Sequence, residues 1–404
     1  MTAAERGIRR RQRLFVIFSA VLVLAYARQL AVAPTAGQDF RAFFAAATVA
    51  AQGGDPYDWT ALSRTEQALY NAPAHTQPGD PAYYDFLPYP EGPWLALALE
   101  PLVGLDWRVV YPIFGALMLL AIATGSWLIL ARLGWPLNRR LIAVAVATLS
   151  PIAFFNIFQG QVSALVFLGF AAAWYLAGRG QSVAGGLALT LVWLKPNLGV
   201  ALPVVIALLE PPSARRLLIS FAAGTVLAFG AAALALPGVL IHWPAEILSH
   251  WRAVQGPQPD IASIHSFYYP ALIGPFKTIA LVVVILAGCA YAAWALRRVR
   301  SPRARGLTLL LLWFVLLPYV HSFDAILLLP VLAFLLAPDQ AGWADATTEV
   351  AVWAFAIVPF AYFVGWHVGF FNGFTAIPIA LLLLAWHRRV VSPTAAIVPQ
   401  ARAA

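Results

Sequence analysis

The chain of 404 residues is 61% hydrophobic and only 11% charged, with a mean hydropathy of +0.77, against about 25% charged residues in an ordinary soluble domain. That balance excludes a soluble globular enzyme and makes lipid the solvent. The formal charge of +9 is no signal of nucleic acid, because the basic residues stand between apolar runs rather than on one face or in a soluble arm.

Apolar runs of roughly 15 to 25 residues can cross a ~30 Å hydrocarbon core as helices. In lipid the backbone must satisfy its own polar groups within each run, so the expected fold class is all-α and integral to the membrane. The N-terminus carries Arg6, Arg9, Arg10, Arg11 and Arg13 ahead of a run at 14–33. That run is too long for a secretory signal and lacks a small-residue cleavage site, so it reads as an uncleaved first span. A long loop at 34–108 follows, and the run 109–131 returns. Runs 141–158 and 161–178 form a hairpin whose tip holds Asn156, Gln159, Gly160 and Gln161. The run 183–209 is interrupted by Lys195, Pro196 and Asn197, and the proline predicts two short helices meeting there. Span 217–237 leads to a second loop at 238–269, with His242, His250, Trp251, Asp260 and His265, and the run 271–296 returns. Runs 306–319 and 325–337 turn at His321, Ser322, Phe323 and Asp324, and a last pair, 350–366 and 374–386, turns at 367–372.

Arginines cluster at 6–13, at Arg132 with Arg139 and Arg140, at Arg215 and Arg216, at 297–305, and at Arg388 and Arg389. The positive-inside rule places these clusters and both termini in the cytoplasm, and the loops 34–108 and 238–269 outside. The loop 338–349, with Asp339, Asp345 and Glu349 but no arginine, fits because acidic residues contribute little to orientation. The pattern predicts about twelve membrane segments in one polytopic domain over 1–390, with a disordered tail at 391–404 rich in alanine and proline. Helical rather than barrel spans imply a bacterial plasma (inner) membrane.

Candidate chemistry gathers at the outer tips. Asp39 stands about five residues beyond the first span, which puts an acid at the membrane interface. Helical spacing puts Phe43 on its side, while Phe40 and Phe44 share another face directed at lipid. A turn-forming string at 53–58 and the aromatic stretch Tyr83, Tyr84, Asp85, Phe86, Leu87, Pro88, Tyr89, Pro90 continue the loop. So many aromatics suit an interfacial belt or a surface for a lipid-linked or sugar substrate. Lys195, one of two lysines, sits at a helix break, where its ammonium meets a phosphate or snorkels to the interface. His321 and Asp324 would share a helical face, and the Gln161 amide either binds hydroxyls or caps a helix. Charges at membrane depth cost roughly 2.5 to 3.5 kcal/mol on insertion scales, so Lys195 and Asp324 call for a function.

The histidines form neither HxxxH nor HxxE, so no zinc or other metal is expected. Cys289, the single cysteine, excludes an intrachain disulfide and a CxxC site. There is no Walker A loop, no GxGxxG ahead of a strand and no GxSxG, so no nucleotide cofactor is expected either.

Asp39, Phe40, Phe43, Phe44 and Ala46, then Gly54-Asp55-Pro56-Tyr57, then Phe86-Leu87-Pro88-Tyr89-Pro90 before Glu100-Pro101-Leu102, resemble the polyprenyl-phosphate-sugar-dependent glycosyltransferases of family 87. Gly160-Gln161-Val162-Ser163, the stretch from Ala184-Gly185 to Lys195-Pro196, and Pro318 through His321 to Asp324 follow in the same order. The resemblance implies the GT-C architecture, a multi-helix bundle with its site at the outer face. It also implies inverting transfer of a hexose, commonly mannose, from polyprenyl phosphate to a glycolipid or glycan acceptor. It casts Asp39 as the general base. His321, Lys195 and Arg41 become the groups for the lipid phosphate, and Gln161, Asp324 and Tyr89 the remaining substrate contacts. The chain departs from the family in placing Phe43-Phe44 where tyrosines are frequent, and Glu91 after Pro90 where a second proline is common. Broken helices and buried charge also suit a secondary transporter, which predicts a matching break in the other half of the chain. Another lipid-dependent transferase, such as an O-antigen ligase or an aminoarabinose transferase, would keep the location and change donor and acceptor.

Overall fold

The structure is a computed structural model that describes residues 37–70, 88–253, 263–268, 272, 274–337 and 376–392. The expected first span at 14–33, residues 83–87, the loop 338–349, the run 350–366 with its turn, and the tail from 393 lie outside those residues.

Every regular element among the described residues is helical. Three helices are long and apolar enough to cross a membrane: Trp107–Arg132, Pro211–Ala235 and Pro275–Arg298. Leu137–Thr148 and Pro151–Gln159 together make a fourth, bent by 42°. The other apolar helices, Ser163–Ala177, Ser182–Leu194, Pro196–Leu209 and Ser322–Leu335, are shorter. The integral, all-helical class expected from composition therefore holds. Of the expected segments, the runs 14–33 and 350–366 lie outside the described residues, and several others are short or broken helices.

Helix α1 (Gln38–Ala51) and α2 (Trp59–Tyr70) lie in the first loop, as does α3 (Pro93–Leu99). Next come α4 (Trp107–Arg132), the bent pair α5 (Leu137–Thr148) and α6 (Pro151–Gln159), and α7 (Ser163–Ala177). The aspartate before α4 caps it by accepting the Arg108 N–H at 2.9 Å, and Arg132 in its last turn complements the helix dipole. At 26 residues and 1.5 Å each, α4 is ~39 Å long and fixes two ends of the bundle. At its start Tyr111 donates to the carbonyl of Ile157 at 2.8 Å. At its finish Arg132 pairs with Glu210, which also accepts from the Trp174 indole at 3.1 Å. The arginine-rich end and the end bearing α1 are thus at opposite extremes of one helix.

The bend between α5 and α6 is written in Ser150-Pro151: the serine hydroxyl accepts the Ala153 N–H at 3.2 Å and proline takes the first helical position. Helix α6 ends at Gly160, with φ 76°, and the Gln161 N–H bonds back to Asn156 at 2.7 Å, a left-handed cap that glycine favours. Glycine is needed there for space as well. A Cβ on Gly160 would stand 2.4 Å from that of Phe40, so only glycine admits the start of α1, whose Gly37 N–H donates to Phe158 at 2.6 Å. Phe40, Phe43 and Phe44 are all buried. The expectation that Phe40 and Phe44 face lipid is therefore corrected: Phe40 packs on Tyr111 and Phe114, with ring centroids 5.5 and 5.0 Å away.

The predicted break at Lys195 is present. Helix α8 (Ser182–Leu189) tightens into a 3₁₀ turn, Thr190–Leu194, then stops; α9 (Pro196–Gly199) and α10 (Leu202–Leu209) continue. Lys195 has φ −143° and ψ 83°, outside the helical region, as the residue before a proline is driven to be. Helices α11 (Ala214–Ala235) and α12 (Val239–Ala253) follow, then α13 (Pro275–Arg298) and α14 (Pro302–Leu316). The His321 turn is a 3₁₀ segment, Ser322–Leu328, leading into α15 (Leu329–Leu335), and α16 (Ile377–Trp386) runs on into a π-helical turn, His387–Val391, at the end of the described residues. In the second loop α12 lies on the first. The Trp243 indole donates to the Pro90 carbonyl at 3.1 Å, Trp59 donates to Glu246, and His242 meets Asp55.

Candidate active site

Five of the residues nominated from sequence form one connected network. Asp39, in the first turn of α1, accepts a hydrogen bond on Oδ2 from the Gln161 amide. The amide oxygen of Gln161 accepts in turn from the Lys195 ammonium at 2.9 Å. Lys195 pairs with Asp324 at 2.7 Å and reaches the Ser163 hydroxyl at 3.4 Å. Ser163 itself donates to Asp324 Oδ1, and the other carboxylate oxygen accepts the His321 backbone N–H at 2.9 Å. The three ammonium protons of Lys195 thus have three acceptors within the protein.

The backbone explains each placement. The Gly160 cap turns Gln161 toward α1, the proline break turns Lys195 inward, and the 3₁₀ segment seats Asp324 at the third position after His321. His321 and Asp324 are joined by a reciprocal capping arrangement, in which the imidazole accepts the Asp324 backbone N–H. The neutral ring then carries its proton on the other nitrogen. His321 stacks on Phe323 at 5.0 Å and meets Tyr319 edge-on at 4.6 Å, while the Lys195 ammonium lies 4.5 Å from the Phe323 ring centroid.

Asp39 is half-buried, whereas Lys195 and Asp324 are buried. Lys195 is therefore an interior ion-paired cation rather than a snorkelling one. Arg41, two residues from Asp39 and so on another face of α1, has its guanidinium 4.8 Å from the Trp107 ring and 5.7 Å from that of Tyr70. Tyr89 is buried; its hydroxyl donates to Gly92 at 2.7 Å and accepts from the Ala96 N–H at 3.0 Å. That commits it to the loop backbone beneath the site.

Two residues that sequence reasoning did not nominate belong here. Ser163 completes the shell of Lys195. Glu91 is buried, and its carboxyl is pushed up to about 8, chiefly by burial, with Lys195 opposing and Asp39 and Asp324 adding to the rise. Its signal was a lone acid in a stretch of proline and aromatic residues.

A helical bundle with membrane-length apolar helices, carrying a carboxylate, amide and ammonium network at the end of α4 far from Arg132, defines a polytopic membrane protein. A profile described as glycosyltransferase family 87 matches residues 86–321, more than half of the chain, and the chain belongs to that family. It is a glycosyltransferase, with a sugar donor and an acceptor as substrates, which sets aside the transporter reading. The matched span holds Glu91, Gln161, Ser163 and Lys195 and ends on His321; Asp39 and Asp324 stand outside it. No curated protein and no solved structure matches the chain.

Proposed function

We propose that the protein is an inverting glycosyltransferase. In this reading it moves a hexose, mannose in the first instance, from polyprenyl phosphate to a glycolipid or glycan acceptor at the extracytoplasmic face of a bacterial plasma membrane. The observation that carries the reading is the chain from Lys195 through Gln161 to Asp39. It fixes one carboxylate oxygen of a half-exposed acid and so orients the group that takes the proton of an incoming hydroxyl.

In the reaction, Asp39 takes the acceptor hydroxyl proton as that oxygen attacks the anomeric carbon from the face opposite the phosphate. The bond from the anomeric carbon to the phosphate oxygen breaks, and prenyl phosphate leaves with both bonding electrons. The product has inverted configuration, Asp39 holds the proton, and charge has moved from the carboxylate to the phosphate. Groups aimed at that phosphate stabilise the transition state more than the ground state. His321, through the nitrogen not bonded to Asp324, and the Lys195 ammonium fit that task. Lys195 would exchange one of its protein acceptors for a phosphate oxygen, and Arg41 would meet the lipid end of the headgroup at the interface. Gln161 and Asp324 act mainly by positioning. The ~39 Å separation of this end from the arginine-rich end, set by the length of α4, supports the extracytoplasmic placement.

The test is sugar transfer from synthetic polyprenyl-phosphate mannose into a lipid-extract acceptor, by wild type and Asp39→Asn in membranes. A drop of about 100-fold or more with donor binding retained supports general-base catalysis. Equal transfer by the mutant removes Asp39 from that role.

A further inference from the structure

Glu91 is a buried acid that the network leaves out. Its side chain is 6% exposed, and Oε2 has no hydrogen-bond partner among the described residues. The backbone that carries it is held at three successive carbonyls: the Trp243 indole donates to Pro90 at 3.1 Å, the Tyr57 hydroxyl to Glu91 at 2.8 Å, and the Tyr89 hydroxyl to Gly92 at 2.7 Å. Tyr57 and Tyr89 also stack, with centroids 5.5 Å apart. A side chain on so fixed a backbone does not swing to solvent.

The charges that bear on it are Lys195, Asp39 and Asp324, with Lys195 the strongest. Lys195 is already paired with Asp324. An ionised Glu91 would add a second negative charge with no counter-ion of its own, which burial makes expensive. A neutral carboxyl at that position is a hydrogen-bond donor, and a buried polar atom without a partner beside a site is what a substrate completes. The identity of the partner follows from charge. A sugar hydroxyl is served as well by a carboxylate, whereas an anionic phosphate oxygen repels a carboxylate and takes a strong, charge-assisted bond from an acid.

We propose that Glu91 is a donor-binding residue that acts as an uncharged carboxylic acid, giving its O–H to a non-bridging oxygen of the donor's phosphodiester. This rests on the prenyl-phosphate donor proposed above. Bound anion and neutral acid support each other.

The test is binding of a prenyl methyl phosphodiester, which carries a single charge throughout, to detergent-solubilised wild type, Glu91→Gln and Glu91→Ala from about pH 7 to about pH 9. Wild type should lose about tenfold in affinity across that range as the acid ionises, and Glu91→Gln, a permanently neutral donor, should not. Glu91→Ala should bind about tenfold more weakly than wild type at pH 7, in line with one lost charge-assisted bond. Should Glu91→Ala not fold, the divergence of wild type and Glu91→Gln with pH decides alone. Parallel pH curves for those two, or undiminished binding by a folded Glu91→Ala, would overturn the assignment while the donor reading stood. Failure of wild type itself to bind the diester would take both down together.

Discussion

The Nζ of Lys195 lies 2.7 Å from Oδ1 of Asp324, and neither side chain is more than 6% exposed. The pair joins a helix break to a 3₁₀ turn 129 residues away. Removing one partner leaves the other charge buried and alone, a change worth roughly 3 to 5 kcal/mol of stability.

Lys195→Met and Asp324→Leu should therefore each lower the thermal midpoint in detergent well below wild type. The double variant should recover much of that loss, because two apolar groups replace a desolvated pair. It should not recover transfer activity, since Gln161 would have lost the cation that orients its amide. Thermal unfolding and transfer assays on the same three preparations check both halves.

Gln161 bridges that pair to Asp39, so its replacement tests positioning apart from chemistry. Gln161→Leu is expected to reduce turnover by about 10- to 100-fold with little change in acceptor KM. Gln161→Glu puts a like charge against Asp39 and favours its protonation. The acidic limb of its pH–rate profile should move to higher pH, which a merely structural defect would not produce.

Glu91 links stability to pH. Burial pushes it up to about 8, from an ordinary value of 4.5, so between those values the folded protein holds a proton that the unfolded chain has released. Its contribution to stability is fully present below about pH 4.5 and is lost as pH rises toward about 8, a span on the order of 5 kcal/mol before solvent relaxation. Glu91→Gln removes this dependence. Its thermal midpoint should match wild type near pH 4.5 and exceed it near pH 8.5, as measured by unfolding in a buffer series.

Gly160 holds α1 close to α6. Gly160→Ala demands φ 76° of a residue with a Cβ, and puts that atom 2.4 Å from Phe40. A loss of about 1 to 3 kcal/mol is expected from strain and overpacking, with a larger loss of transfer because α1 carries Asp39. Gly134→Ala, at φ 76° with open space around it, is the control that separates backbone strain from displacement of α1.

The elements legible in the sequence were those with local causes. Pro196 fixed the break and the pre-proline geometry of Lys195. Gly160 closed the hairpin tip, and the apolar runs declared an all-helical membrane chain. The residues of the network could be nominated, but not their bonds: Gln161 and Asp39 are 122 positions apart, and no periodicity relates them. Phe40 and Phe44 were misread because a helical face toward lipid and one toward Tyr111 and Phe114 have the same composition in an apolar protein. The Tyr89 hydroxyl bonds its own loop at Gly92 and Ala96, and Glu91 stood in the sequence as a lone acid among proline and aromatic residues. For the network and for Phe40 the deciding neighbour came from elsewhere in the chain.

Helix α12 grips the first loop through Trp243 and Pro90, Glu246 and Trp59, and His242 and Asp55, which makes the two outer loops a single inherited unit. A chimera that imports one loop from a relative would arrive with half of each clamp, and the backbone under Glu91 would slacken. Acceptor range in such a protein is best altered by moving both loops together, and natural diversification should show paired change on the two sides of the clamp.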